Sequence, residues 1–163
     1  MMGEPLSILL VEDNDDHAEI IIRGLAGYRV ANTIHRVADG EAALDYLFHQ
    51  GTYLNQPKSA EPNLVLLDLR LPKLDGLEVL KRIKESPEHC RIPVVVLTTS
   101  DAERDVAHAY EHHANSYLVK PLDFARFTEL MDSLGYFWLA WNRDPWTHLR
   151  GKDAIESPPS IAP

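Results

Sequence analysis

Asn63-Leu64-Val65-Leu66-Leu67-Asp68-Leu69-Arg70-Leu71-Pro72-Lys73-Leu74-Asp75-Gly76 reads as a buried strand that ends on a carboxylate and turns into a helix. The unbroken apolar run at 64–67 is what a strand covered on both faces requires. Pro72 and Gly76 then punctuate a turn. Three other apolar runs end in the same way. Ile8-Leu9-Leu10-Val11 leads into Glu12-Asp13, Val94-Val95-Val96-Leu97 into Thr98, and Tyr117-Leu118-Val119 into Lys120-Pro121. In a parallel sheet, strand ends of one polarity meet along one edge, where open α/β folds bind ligands.

Between these runs lie helical stretches. Residues 14–26 carry Ala18, Ile21, Ile22 and Leu25 on one face, with Asn14 or Asp15 as cap. Ala42, Ala43, Tyr46 and Leu47 give a second helix after the Asp39-Gly40 turn. Leu77, Leu80 and Ile83 give a third over 76–85, Asp101 caps a fourth reaching about His113, and 122–140 forms the last. The more polar strand at 30–37 belongs at a sheet edge, and 51–62, with Pro57 and Pro62, reads as a long loop. Five strands alternating with five helices imply right-handed βαβ units and a three-layer α/β sandwich. Residues 5–140 form this domain, and the Pro-rich, polar stretch 141–163 is an irregular or partner-binding extension.

Bulk properties exclude several classes. A net charge of −9 over 163 residues argues against nonspecific binding to nucleic acid or anionic membrane. One cysteine, Cys90, cannot form an internal disulfide, which suits a cytoplasmic protein. There is no basic leader with an apolar stretch of ~7–15 residues, and no run approaches the roughly 18–20 residues of a membrane span.

Two acids, a third acid, a hydroxyl and a lysine converging on one edge read as a magnesium-dependent phosphoryl acceptor site. Aspartate accepts phosphate as an acyl phosphate once the phosphoryl charge is neutralised, and such transfer depends mainly on positioning and electrostatics. Mg²⁺ keeps several waters, so few protein ligands suffice. Asp13 and Asp68 supply carboxylates, the Arg70 backbone carbonyl a third ligand, and Glu12 acts through water. Lys120 offers a compact cation for phosphoryl oxygens and Thr98 a hydroxyl; a cis Lys120–Pro121 bond would aim the lysine inward. Alone, each acid equally suits a helix N-terminus; five such residues at successive strand ends carry the reading. His108 and His112, four apart, and the charges around Arg104 look like solvated helix faces.

Over residues 5–140 the chain resembles the response-regulator receiver family. The matching positions are Glu12/Asp13, Asp68, Thr98 and Lys120, with Tyr117 at the aromatic position three before the lysine. The resemblance implies a flavodoxin-like (βα)5 fold with strand order 2-1-3-4-5. It also implies Asp68 as phosphoacceptor, Thr98, Tyr117 and Lys120 as switch or catalytic residues, and a sensor histidine kinase as donor. The stretches 62–72 and 92–100, Phe137-Trp138-Leu139 and the long loop look like single-domain receivers partnered with phytochrome-type kinases. Output then runs through noncovalent partners, and the chain is not primarily an enzyme. The alternative is an aspartyl-phosphate-forming phosphatase. Such enzymes place a general acid two residues after the nucleophile, where this chain has Arg70. A flavin module expects a glycine- and hydroxyl-rich first loop, and the acidic loop 12–16 does not provide one.

The last helix carries Phe124, Phe127, Met131, Leu134, Trp138 and Trp141 at three- and four-residue steps, widened by Leu130 and Phe137. That surplus predicts a homodimer through Phe127, Leu130, Leu134, Phe137 and Trp138, the alternative being that residues 142–163, with Trp146 and Leu149, fold back over it.

Overall fold

The computed structural model describes residues 6–26, 32–56 and 61–141. Strands β1 (Leu6–Val11), β2 (Asn32–Val37), β3 (Leu64–Leu67), β4 (Val94–Thr98) and β5 (Ser116–Val119) form one sheet. Its order is β2-β1-β3-β4-β5, and every pairing is parallel. The helices are α1 (Asp15–Ala26), α2 (Gly40–Phe48), α3 (Gly76–Glu85), α4 (Glu103–Glu111) and α5 (Phe124–Gly135). A 3-10 turn at Gly51–Tyr53 opens the long loop, and a π-helical turn at Tyr136–Trp141 follows α5.

Side-chain alternation along the strands divides the core in two. Leu9, Val11, Val65, Leu67, Val94 and Val96 face α2, α3 and α4. Ile8, Leu10, Leu64, Leu66, Val95 and Leu97 face α1 and α5. This is the expected three-layer sandwich. The register brings Val11 beside Leu67 and Thr98 beside Val119, so the residues after each strand gather at one edge.

Helix ends follow local chemistry with one exception. The Asn14 side chain accepts the His17 N–H at 3.0 Å and so caps α1. Asp39, Asp75 and Asp123 cap α2, α3 and α5 in the same way. The exception is α4. Its N-cap is Ala102, which makes no side-chain cap bond, instead of Asp101. Gly76 is required by proximity, since a Cβ there would overlap the Asp68 carbonyl oxygen. Gly24 plays the same part between helices, where a Cβ would lie 2.7 Å from Met131 Cβ.

Helix α5 corrects two of the five residues expected at the dimer seam. Phe127 and Leu134 are 2% and 6% exposed and belong to the core beneath α1 and α5. Leu130 and Trp138 pack partly against that core. Of the five, Phe137 is the exposed one, at 53%. One apolar stripe is what a helix needs to cover a sheet face, and intramolecular packing uses it. The π-helical turn, with its wider hydrogen-bond spacing, then breaks the three-and-four stepping and turns Phe137 outward. Residues 142–163, including Trp146 and Leu149, lie outside the described residues.

Candidate phosphoryl-acceptor site

Four strand ends build the site. Glu12 follows β1, and its N–H donates to the Val37 carbonyl at 3.1 Å. Arg36 holds that turn from the neighbouring strand: Nε donates to the Glu12 carbonyl at 3.0 Å and Nη1 lies 2.7 Å from Asp15 Oδ1. Asp68 follows β3, and its N–H donates to the Val11 carbonyl at 3.0 Å. Lys120 follows β5, and its N–H donates to the Thr98 carbonyl at 2.7 Å.

Glu12 and Asp68 are buried while Asp13 remains exposed at the rim. Each of the three offers a carboxylate oxygen, and these oxygens lie within 4.8 Å of one another. Lys120 is 3% exposed. Its ammonium donates to Glu12 Oε2, to Asp68 Oδ2 at 2.9 Å and to His17 Nδ1 at 3.2 Å, so all three N–H groups are used. His17 must therefore present its Nδ1 lone pair and carry its proton on Nε2. Every peptide bond among the described residues is trans. The cis bond expected before Pro121 is absent, and the lysine reaches inward from the end of β5 without it.

Burial raises the Glu12 carboxyl to about 7 against the opposing pull of Lys120, with the Asp68 charge adding to the rise. Burial and the adjacent Lys120 ammonium hold the His17 imidazole below its ordinary value. Close carboxylates held together by one lysine suit a divalent cation, since hard oxygen donors are the ligands such a cation takes. Among the described residues, these three acids are the cluster of His, Cys, Asp or Glu with metal-ligating geometry.

The other expected residues lie around this centre. Thr98 is fully buried, and its Oγ accepts the Ser100 N–H at 3.4 Å. Tyr117 is half-buried, and its hydroxyl donates to the Ser100 carbonyl at 2.8 Å. The Arg70 N–H donates to Asp68 Oδ1 at 3.3 Å. Three participants escaped the sequence reading: His17, Ser100 and Asp105. Asp105 sits among charges read as a solvated face, yet it is 4% exposed and lies 2.6 Å from Arg70 Nη2. Helical spacing from Ala109, which is also buried, was the one available signal for it.

The sequence matches the profile described as the response regulator receiver domain over residues 8–132. The chain belongs to that family. It is 48% identical over 143 residues to the probable methanogenesis regulatory protein FilR2 of Methanothrix harundinacea (strain 6Ac), covering 87% of this chain and 89% of that protein. It is 44% identical over 135 residues to response regulator Rcp1 of Synechocystis sp. (strain PCC 6803), covering 83% and 90%. The crystal structure of Mn(2+)-bound Rcp1 aligns with a TM-score of 0.82 at 42% identity, covering 86% of this chain and 99% of that one. The phosphorylated cyanobacterial phytochrome response regulator RcpA also aligns at 0.82, with 40% identity, covering 87% and 99%. This receiver is therefore a response regulator of two-component signalling, similar to the phytochrome response regulators. No helix among the described residues is long and apolar enough to cross a membrane.

Proposed function

We propose that Asp68 accepts a phosphoryl group from a phosphohistidine on a sensor histidine kinase of phytochrome type, with Mg²⁺ as cofactor. The observation that carries this reading is the buried Lys120 ammonium shared between Glu12 and Asp68, with Asp13 beside them. Asp13, Asp68 and the Arg70 carbonyl would hold the cation, with Glu12 acting through water. A bound divalent cation neutralises carboxylate and phosphoryl oxygens, the charge screening on which phosphoryl transfer depends.

An Asp68 carboxylate oxygen attacks phosphorus, the P–N bond breaks, and its electron pair returns to the kinase imidazole. The new P–O bond makes an acyl phosphate. Lys120 moves one N–H from Asp68 to the phosphoryl oxygens while His17 keeps another, so the ammonium stays aimed into the site. The Thr98 hydroxyl supplies a donor, and Tyr117 reports its movement through the Ser100 carbonyl. Leu122 and Phe124, 99% and 70% exposed, follow Lys120 and give the kinase an apolar surface beside the acceptor.

The phytochrome assignment rests on the likeness to RcpA and Rcp1; FilR2 is named for a different regulation. The receiver chemistry is common to these readings. For a phosphatase, the position two after Asp68 should aim an acid at the acyl phosphate. Arg70 occupies it and turns its side chain to Asp105 instead. The test is transfer of labelled phosphate from an autophosphorylated phytochrome kinase. Asp68→Asn should abolish acid-labile labelling while circular dichroism stays unchanged. Labelling of that variant at the parent's level rejects Asp68; labelling of the parent by unrelated kinases alone rejects the phytochrome partner.

A further inference from the structure

We infer that Asp105 is a positioning residue for the cation site, acting through the Arg70 side chain, and that their ion pair ties the loop after β3 to α4. This rests on the ligand set proposed above, in which the Arg70 carbonyl is one ligand.

Arg70 is anchored twice. Its N–H donates to Asp68 Oδ1 at 3.3 Å, and its Nη2 donates to Asp105 Oδ2 at 2.6 Å. With both the amide and the tip of the side chain anchored, the Arg70 Cα from which the carbonyl projects is held in place. Asp105 is the more buried partner, its side chain 6% exposed against 56% for Arg70. Burying a carboxylate is costly unless it is paired and hydrogen-bonded. Here the Ser100 hydroxyl supplies the second bond, donating to the same Oδ2 at 2.5 Å. The Ser100 carbonyl in turn accepts the Tyr117 hydroxyl at 2.8 Å. One chain of bonds therefore joins the loop after β3, the loop after β4, the first turn of α4, and β5.

The position of this acid argues against a role in helix formation alone. An acid in the first turn of a helix commonly serves its N-terminus, and α4 lacks a side-chain cap. Asp105 nonetheless turns sideways to Arg70 and Ser100. In the ligand set proposed above, Arg70 has two tasks: its carbonyl would serve the cation while its guanidinium pairs with Asp105 on α4. Movement of either end is felt at the other.

Positioning and simple electrostatics predict opposite signs. A guanidinium near a cation site repels the cation, so its removal by charge alone should tighten binding. If the guanidinium orients the carbonyl, its removal should weaken binding.

The experiment titrates Mg²⁺ into the full chain by calorimetry, for the parent, Arg70→Ala, Asp105→Asn and the double variant. Metal-free urea midpoints are recorded alongside. Groups that support metal ligands affect affinity by about 10–100-fold, and an indirect backbone effect should fall at or below that range, about three- to ten-fold. Arg70→Ala and Asp105→Asn should each weaken Mg²⁺ binding by that factor. The double variant should be no weaker than the worse single one, because both break one link. Arg70→Lys, which keeps a donor and a charge, should recover part of the loss. Where Asp105→Asn fails to fold, Arg70→Ala decides alone. Binding by Arg70→Ala that equals or exceeds the parent's overturns the inference while leaving the ligand set standing. A parent that shows no Mg²⁺ binding overturns the ligand set itself, and this inference with it.

Discussion

Lys120 and Lys84 stand at opposite edges of the same sheet, each with three acceptors, and the acceptors differ in kind. Lys84, near the end of α3, donates to the Cys90 carbonyl at 3.2 Å, the Ile92 carbonyl at 2.8 Å and Asn115 Oδ1 at 3.1 Å. All three oxygens are neutral, and burial pulls this lysine below its ordinary value. Lys120 is held by two carboxylates and an imidazole. Neutral dipoles have no charge for an incoming ion to compensate, so the Lys84 cluster is a staple joining α3 to the loops before β4 and β5. Two carboxylates at one ammonium are different: a cation or a phosphoryl group can take over either partner. A structural lysine and a functional one are thus told apart by what their acceptors can exchange.

Breaking each lysine should separate the two roles. Lys120→Met leaves Glu12 and Asp68 buried without their counter-ion. At pH 8 without divalent cation it should destabilise the fold by about 3–5 kcal/mol, the usual cost of orphaning a buried charge. Millimolar Mg²⁺ should restore much of that and raise its stability more than it raises the parent's. Lys84→Met should cost about 1–2 kcal/mol for its lost hydrogen bonds, with no recovery in Mg²⁺ and parental labelling of Asp68. Urea melts with and without Mg²⁺ make the comparison. Equal Mg²⁺ rescue of both variants would show that the cation does not act at the Lys120 edge.

A subtler test uses pH. The Glu12 carboxyl is raised from 4.5 to about 7, so the folded state holds its proton more tightly than the unfolded chain does. Its stabilising contribution is therefore full below about pH 4.5 and is lost as pH rises through about 7. His17, shifted downward, works in the opposite sense as pH falls. The difference between the parent and Glu12→Gln isolates Glu12 from His17. Without metal, the parent should lose on the order of 2 kcal/mol relative to Glu12→Gln between about pH 5 and 8. A difference that is flat across that range would mean Lys120 keeps Glu12 ionised throughout.

How much of this site could be read in advance depended on where each residue stands. Glu12, Asp13, Asp68, Thr98 and Lys120 were legible because apolar strands announce their own ends, and a parallel sheet brings those ends together. The edge position of β2 was legible from its more polar sequence, and the strand order only through the family resemblance. His17 and Asp105 were not legible. Each follows a charged residue on its helix, and the contacts that define its role are made with partners 103 and 35 residues away. The start of α4, expected at an Asp101 cap, was not legible either: the helix begins one residue later, after Ala102, and Asp105 in its first turn pairs with Arg70, 35 residues away. The α5 stripe was legible as apolar, but Phe127 and Leu134 within it belong to the core, since periodicity does not say which surface each residue meets.

The smallest prediction concerns two aromatic residues of the α5 region. Phe127 is 2% exposed and packs its ring 5.6 Å from that of His17, beneath the acceptor site. Phe137, on the π-helical turn, is 53% exposed, with Tyr136 at 51% beside it and Trp138 in edge contact at 5.5 Å. Of the five residues first expected at a homodimer seam, Phe137 is the exposed one, and we expect the seam at Tyr136 and Phe137. Phe137→Glu should lower the sedimentation coefficient at tens of micromolar and shift stability by no more than about 0.5 kcal/mol, as surface changes do. Phe127→Leu, by contrast, should lower stability by about 1–2 kcal/mol through lost packing and leave the association state alone. An unchanged sedimentation coefficient in Phe137→Glu against a dimeric parent would move the seam to another face. A parent that sediments as a monomer, with and without a phosphoryl mimic, would remove the dimer altogether.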